Sequence, residues 1–316
     1  MAAEINDVPG PAFPRNLAIF EAAPGLRQTV SAMRVTDRTI ARAVVAGFLV
    51  GGLLVPAAAH GQAPNAVERT SAGVLSEHEL EVLDSMSPQK QAELLLERSI
   101  NHFRGANEEI ARRAAKWRGQ ITSTGRLENL FTTALNSDDL QVRVAGIEVN
   151  IAARNLEKNS ATVDMLEAVA RAGDEGARAN ALWDLGLLGN RGVQPARIAE
   201  ILLGSIHDES PNARYWAVEG LAYLGTDAVI EPLLDVFHDD RSGSVRERAA
   251  CGLAQSGMLS EKQRWKAVPR LIEYAGDYGL DPQTRGWAFQ ALRDITGQTI
   301  PQDPDLWRSW YRRIPR

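Results

Sequence analysis

The chain has 316 residues, of which 44% are hydrophobic and 24% charged, and its formal net charge is −5 at pH 7. This balance can fill a core, but the acidic charge excludes a general nucleic-acid binder, which needs a concentrated basic face to neutralise phosphates. Cys251 is the single cysteine, so an intramolecular disulfide and a cysteine-based metal cluster are both excluded.

The N-terminal region has the layout of an export signal rather than of a folded domain. Residues 1–32 are rich in Ala, Pro and Gly and show no sustained period. After Met33 come three arginines, then the apolar run 43–55, and then the small-residue stretch 56–59. A basic start, an apolar middle and a small-residue cleavage site are the three parts of a secretory signal.

We therefore predict a Sec-type signal peptide over residues 33–61, with cleavage near Ala59–Gly61 and with Met33 as the true start. Residues 1–32 are then a disordered N-terminal extension, and residues 62–75 a flexible linker. The mature protein is expected in the periplasm or outside the cell, with no stable membrane span. The alternative is an uncleaved anchor facing the periplasm, although the apolar run is short for the ~20 residues of a spanning helix.

Residues 76–126 are predicted to form a helical N-terminal cap. Apolar residues recur there at helical spacing, as at Leu96, Ile100 and Phe103, but without the signature that is repeated farther along the chain. Stacked repeats need such a cap, because the first repeat would otherwise expose an apolar face.

Residues 127–297 repeat a short signature in which an arginine is followed by Ala three residues later and by Leu seven residues later. Arg178, Arg214, Arg246 and Arg285 each begin a copy, and Arg143 begins an imperfect one. Consecutive arginines are 32 to 39 residues apart, which is the period of stacked supersecondary units. Each unit divides into two helical segments joined by an acidic turn, and no segment has the alternating pattern of a strand.

This Asp…Arg-x-x-Ala-x-x-x-Leu pattern resembles the HEAT-like repeat family, in the short variety that phycobilin lyases also contain. The resemblance covers residues 127–297 and implies an all-α fold, a HEAT-like α-solenoid of about five helical pairs with helical N- and C-terminal caps. Together with the export signal, it indicates an exported bacterial member. Such repeats serve many functions, so the resemblance implies the fold rather than an activity.

Residues 298–316 are predicted to form a C-terminal capping helix. Asp303 suits the N-cap position and Pro304 the first helical position. Trp307 and Trp310 lie three residues apart, on one helix face, where they are expected to seal the end of the stack.

The repeated arginines are the first group of candidate site residues. Each follows an acidic turn, and we interpret the five as a structural ladder that ties these turns down by bidentate bonds to carboxylates. An anion-binding track is the alternative. The predicted ladder comprises Arg143, Arg178, Arg214, Arg246 and Arg285.

The second group lies one, two and five residues after these arginines, on the side of each second helix that should face away from its partner helix. We predict that these side chains line a concave binding face, because Trp, Tyr and Arg carry much of the energy of interfaces. The predicted face comprises Asn180, Trp183, Tyr215, Trp216, Glu219, Arg248, Trp287 and Gln290.

The predicted function is that of a non-catalytic scaffold for an unknown protein or peptide partner. Phosphate-loop, dinucleotide-fingerprint and serine-elbow motifs are absent from the sequence, so no catalytic residue, cofactor or metal is predicted. His207 and His238 occupy equivalent positions at the ends of successive first helices. We interpret each as a side chain that interacts favourably with the negative end of its helix. A metal site shared by the two histidines is the alternative. An envelope small-molecule or polysaccharide binder, and an enzyme with an unrecognised site, are the alternative functions.

Overall fold

The computed structural model describes residues 73–314. The predicted extension, the signal peptide and all but the last residues of the linker lie outside this range. Within it every regular element is helical, apart from an isolated bridge between Val74 and Arg104. None of its helices is both long and apolar enough to cross a membrane.

Three helices precede the repeats: α1 (Glu77–Ser85), α2 (Pro88–Ile100) and α3 (Ala106–Trp117). The helical pairs follow as α4 (Gly125–Leu135) with α5 (Leu140–Ala153), α6 (Ser160–Ala172) with α7 (Glu175–Asn190), α8 (Pro195–Ser205) with α9 (Pro211–Leu224), and α10 (Ile230–Asp239) with α11 (Gly243–Ala254). After the short α12 (Glu261–Arg264) come the last pair, α13 (Val268–Ala275) with α14 (Pro282–Thr296), and then α15 (Pro304–Tyr311). The predicted all-α solenoid of about five pairs is thereby confirmed.

In the first two pairs, an aspartate of the acidic turn caps the second helix. The side chain of Asp139 accepts from the backbone N–H of Gln141, and that of Asp174 accepts from the N–H of Ala177. Each bond satisfies an amide that the first turn of a helix leaves unpaired. Ser210 caps α9 and Asp281 caps α14 in the same way, so short polar side chains mark the starts of these second helices.

The second helices α5, α7, α9, α11 and α14 form one layer, and each packs against its own first helix. The contact between α7 and α9 is the most extensive of these. A Cβ on Gly186 would lie 2.5 Å from the carbonyl oxygen of Gly220, and a Cβ on Gly220 would lie 2.6 Å from that of Leu182. Two facing glycines thus let the backbones of α7 and α9 touch.

Both ends of the repeat stack carry further helices. On the N-terminal side, α2 and α3 pack on α4 and α5 around a core that includes Leu95, Trp117 and Phe131. On the C-terminal side, α15 lies against α13 and buries Trp307 completely. The Trp307 indole N–H donates to the carbonyl of Pro301 at 3.0 Å, so this helix is anchored as well as packed.

Candidate interaction surface

Three of the repeated arginines join successive turns. Arg178 pairs with Asp208, Arg214 with Asp240, and Arg246 with Asp281, and each aspartate belongs to the turn of the following repeat. The Arg214 pair is bidentate, with Nε–Oδ2 at 2.7 Å and Nη2–Oδ1 at 3.0 Å. Two parallel bonds of this kind fix orientation as well as distance.

The same arginines also hold the turn of their own repeat. Arg214 Nη1 donates to the Asp208 carbonyl at 2.9 Å, and Arg246 Nη1 donates to the Asp240 carbonyl at 2.7 Å. Each guanidinium therefore links two consecutive repeats. These contacts occupy the guanidinium donors with protein acceptors, which leaves little for an external anion.

Arg143 and Arg285 depart from this pattern, and the predicted bond to a carboxylate is wrong for both. Arg143 donates to the carbonyls of Gly257 at 2.5 Å and Gln255 at 2.9 Å, far along the chain. The guanidinium carbon of Arg285 lies 4.9 Å from the ring centroid of Tyr278, and no carboxylate among the described residues pairs with it. Arg285 differs because α14 is followed by the single helix α15 instead of another helical pair, whereas Arg143 reaches the segment after α11.

Three predicted binding residues are buried, so their assignment to an open face is corrected. Trp183 is 2% exposed, Trp287 is 8% exposed and Arg248 is 9% exposed. The second helices stack directly on one another, and these positions face the neighbouring second helix instead of solvent. Gln290, which is half-buried on α14, donates to Asp294 at 2.7 Å.

Tyr215 and Trp216 are the aromatic residues of the predicted face that stay half-exposed. Both rest against the core, and their rings meet edge to face with centroids 5.6 Å apart. Trp216 also lies edge-on to the buried Trp183 at 6.2 Å, and Trp183 contacts Tyr223 at 4.5 Å. The two accessible rings are thus held in place by a row of buried ones.

A buried ion pair lies beside these rings. Arg248 Nε is 2.7 Å from Glu219 Oε2, and the two side chains are 9% and 13% exposed. Burial raises the pKa of Glu219, although the charge of Arg248 acts to lower it. Burial likewise raises the pKa of the Tyr215 phenol, with Arg248 opposing the shift. Arg248 also donates to the hydroxyl of Ser256.

A second ion pair, which the sequence did not predict, joins Arg154 at the C-terminal end of α5 to the buried Asp184 on α7. Arg154 Nη2 donates to Asp184 Oδ2 at 2.9 Å and to the amide oxygen of Asn180 at 3.3 Å. Asp184 is 5% exposed, and burial raises its pKa against the effect of Arg154.

Glu148 on α5 is buried in the same manner and pairs with Lys158 at 3.0 Å and with Arg191 at 2.7 Å. Both Asp184 and Glu148 are single acids inside otherwise apolar helical runs, a signal that could have drawn attention to them. A lone acid in such a run needs a partner, because an unpaired buried charge is costly.

The two histidines do not share a site. His238 Nε2 lies 3.0 Å from Asp277 Oδ2 and its Nδ1 contacts Asp239, whereas His207 is exposed. Burial acts to lower the pKa of His238, but the hydrogen bonds to the two carboxylates outweigh it and raise the pKa. Between residues 73 and 314, no group of three or more His, Cys, Asp or Glu side chains could hold a metal ion.

Paired helices in two layers, joined by arginine–aspartate bonds between repeats, define an α-helical repeat protein with accessible aromatics on its second-helix layer. Residues 162–254 match the family model for HEAT repeats, so this segment, from α6 to α11, consists of HEAT repeats. The match includes both residues of the Arg178–Asp208 and Arg214–Asp240 links, whereas Asp281, the partner of Arg246, lies beyond it.

No curated protein matches the chain in sequence. Among solved structures, an engineered protein is 16% identical, with 66% of this chain and 99% of that chain covered and a TM-score of 0.31. A designed armadillo repeat protein is 17% identical, with 70% of this chain and 95% of that chain covered and a TM-score of 0.30.

Proposed function

We propose that the protein is a non-catalytic scaffold that binds a protein or peptide partner at Tyr215 and Trp216. The observation that carries this proposal is the pair of half-exposed rings on α9, held by the buried rings of Trp183 and Tyr223. Rigid aromatic side chains contribute much of the energy of protein interfaces, because they bury a large area at little entropic cost.

The charges around the two rings favour a partner segment with an apolar or aromatic side chain. Glu219 and Asp184 are paired with Arg248 and Arg154, so the charged groups beside the rings neutralise one another. An anionic ligand would find no excess positive charge in these pairs. The apolar surface of the two rings is then the main surface available for contact with a partner.

We also propose that the protein does not catalyse a reaction. The protonated thiol and the ion-paired acids among the described residues support this. Burial raises the pKa of the Cys251 thiol, which keeps it in the poorly nucleophilic protonated form. The buried acids Glu219, Asp184 and Glu148 are all engaged in ion pairs.

The test is a photo-crosslinking amino acid placed at position 216 of the full-length chain, with position 310 as the matched control. Trp310 is also a half-buried tryptophan of the repeat stack, but it lies on α15. In an envelope fraction of the host, we expect a partner adduct of defined mass from position 216 and none from position 310.

The affinity for the same partner should fall about thirtyfold or more in Trp216→Ala and stay unchanged in Trp310→Ala, since a central aromatic contributes ~2 kcal/mol or more to an interface. Equal capture by both variants would remove the assignment to α9. A rise in melting temperature with oligosaccharides, together with no protein adduct, would favour a polysaccharide binder.

Export to the periplasm is a further part of the proposal. It is supported by the basic, apolar and small-residue parts of residues 33–61, which lie outside the described residues. N-terminal sequencing of the protein from a periplasmic fraction should find His60 or Gln62 as the first residue. Recovery of the uncleaved chain in the cytosol would contradict this.

A further inference from the structure

A small cavity lies at the C-terminal end of the repeat stack, on a different surface from Tyr215 and Trp216. It has a volume of about 270 Å³ and is lined by residues of α13, α14 and the segment that leads into α15. Ala275 and Phe289 form its apolar wall, and Arg285, Tyr278 and Gln302 are its polar lining. At ~30 Å³ for each water molecule, the space exceeds what one or two waters fill.

Arg285, like Arg143, has no carboxylate partner from a following repeat, but unlike Arg143 it has no backbone carbonyl bound to its guanidinium among the described residues. In the three complete links, Arg178, Arg214 and Arg246 each bind an aspartate located 30, 26 and 35 residues farther along the chain. After Arg285 the chain continues into α15 instead of a further helical pair.

The acids near the cavity are already engaged. Asp303 accepts from the backbone N–H of Asp305 and Leu306, and the Asp305 carboxylate pairs with Arg308 at 2.9 Å. Asp277 feels the charge of Arg285 but is bonded to His238.

Tyr278 makes the same surface unusual. Its side chain is 85% exposed, the highest value among the large hydrophobic residues described, and its ring faces the Arg285 guanidinium. A guanidinium over an aromatic ring keeps its N–H donors, which lie in its own plane, free to bind oxygen. The cavity therefore combines a cation, an exposed ring and open space.

We propose that this cavity is a docking site for an acidic segment of a partner protein, with one aspartate or glutamate carboxylate bound to Arg285. That carboxylate takes the place that Asp208, Asp240 and Asp281 take beside the earlier arginines. Tyr278 packs against the backbone next to it. The site extends the inter-repeat link of the fold to a second molecule and is independent of the α9 surface.

The test uses the full-length chain and a fluorescein-labelled hexapeptide, Gly-Leu-Asp-Pro-Gln-Thr. It copies residues 279–284, whose aspartate, Asp281, binds Arg246 at 2.9 Å within the fold. Fluorescence anisotropy should show saturable binding of this peptide, and binding about tenfold or more weaker for the same peptide with asparagine in place of the aspartate, because a charge-assisted bond is lost.

Three variants locate the binding. Arg285→Gln removes the cation, and Gly286→Leu fills the cavity, since no atom lies within 4 Å of a Cβ at that position. Arg312→Gln removes an equal charge at an exposed site on the same end of the chain. We expect the first two to weaken binding about tenfold and the third to leave it unchanged.

Equal binding of the aspartate and asparagine peptides, or unchanged binding by Arg285→Gln, would overturn the proposal. Analytical ultracentrifugation of the full-length chain tests whether a second copy of the chain occupies the cavity. Self-association that disappears in Arg285→Gln would assign the cavity to a second copy of this chain and overturn its assignment to a partner. Circular dichroism of each variant separates loss of binding from loss of fold.

Discussion

For the ion pair between Glu219 and Arg248, we expect removal of one partner to destabilise the fold more than replacement of both partners by apolar residues. Both side chains are at least 87% buried, so Arg248→Met leaves a carboxylate without its cation in a poorly solvated site. Breaking a buried pair on one side costs about 3–5 kcal/mol, whereas replacing both partners by apolar residues is often nearly neutral. We therefore expect Glu219→Leu/Arg248→Met to be more stable than Arg248→Met.

Urea unfolding followed by circular dichroism measures both variants. Lys266→Met is the control, because Lys266 and Asp227 form an exposed pair, 50% and 60% exposed, which is worth less than about 1 kcal/mol. The pKa of Glu219 is raised by burial even beside Arg248. The loss of unfolding free energy in Arg248→Met should therefore become smaller as pH falls towards 4. Glu219 then binds a proton in the folded state, and it releases this proton more easily in the unfolded state.

The sequence predicted the positions of the ladder arginines, but it predicted the exposure of the side chains near them only in part. The fixed spacing after each acidic turn placed Arg178, Arg214 and Arg246 at the starts of second helices, where a carboxylate of the next repeat reaches them. Exposure was harder to predict. Trp183 and Trp287 occupy positions that point away from their own first helix, but that direction leads to a neighbouring second helix, α9 for Trp183 and α11 for Trp287, which sequence spacing does not locate.

At the level of whole helices, the contact between α7 and α9 depends on two glycines. Gly220→Ala places a methyl group 2.6 Å from the carbonyl oxygen of Leu182, a distance that forces the backbones apart. Such overpacking costs about 1–3 kcal/mol. Thermal unfolding of Gly220→Ala should give a melting temperature lower by about 2–12 °C, at 2–4 °C for each kcal/mol in a chain of this size.

Gly204→Ala is the matched control for this substitution. Gly204 is also a helical glycine, in α8, but a Cβ there meets no atom within 4 Å. Alanine should stabilise that helix by about 0.5–1 kcal/mol, because it loses less backbone entropy on folding. If both substitutions changed stability in the same direction, the close approach of α7 and α9 would not be a packing constraint.

The helical pairs themselves could be predicted, because apolar residues at helical spacing and acidic turns mark every pair from α4 to α14. Gly225 and Gly297 end α9 and α14 in the left-handed conformation typical of a C-cap. Gly189 instead lies inside α7, where a Cβ would meet Leu224 at 2.6 Å. A glycine near a helix end has the same sequence appearance in both uses.

Within the described stack, one side chain connects parts of the chain that no periodic pattern relates. Arg143 at the start of α5 donates to Gln255 and Gly257, which follow α11, across 112 and 114 residues. Arg264 also donates to Gln255, so two arginines bind the carbonyls at the negative end of α11. A repeat signature predicts contacts between neighbours, and this contact joins the first pair to the fourth.

Replacing Arg143 should therefore loosen two separate regions at once. Arg143 is 4% exposed, and Arg143→Met keeps its length but removes three hydrogen bonds, to Ser137, Gln255 and Gly257. Bonds to a charged group contribute about 1.5–3 kcal/mol, and carbonyls left buried without a donor add to the loss. Hydrogen exchange should rise by about tenfold or more both in the turn before α5 and in residues 255–258, since local opening in each becomes easier.

Arg178→Met distinguishes this connection from a general weakening of the stack. Arg178 bonds the carbonyl of Ala170 in its own repeat and the carboxylate of Asp208 in the next one. Its loss should raise exchange near α6 and α8 while residues 255–258 keep wild-type protection. If Arg143→Met affected only the turn before α5, the first and fourth pairs would not be energetically coupled, and the stack would behave as a chain of nearest-neighbour contacts.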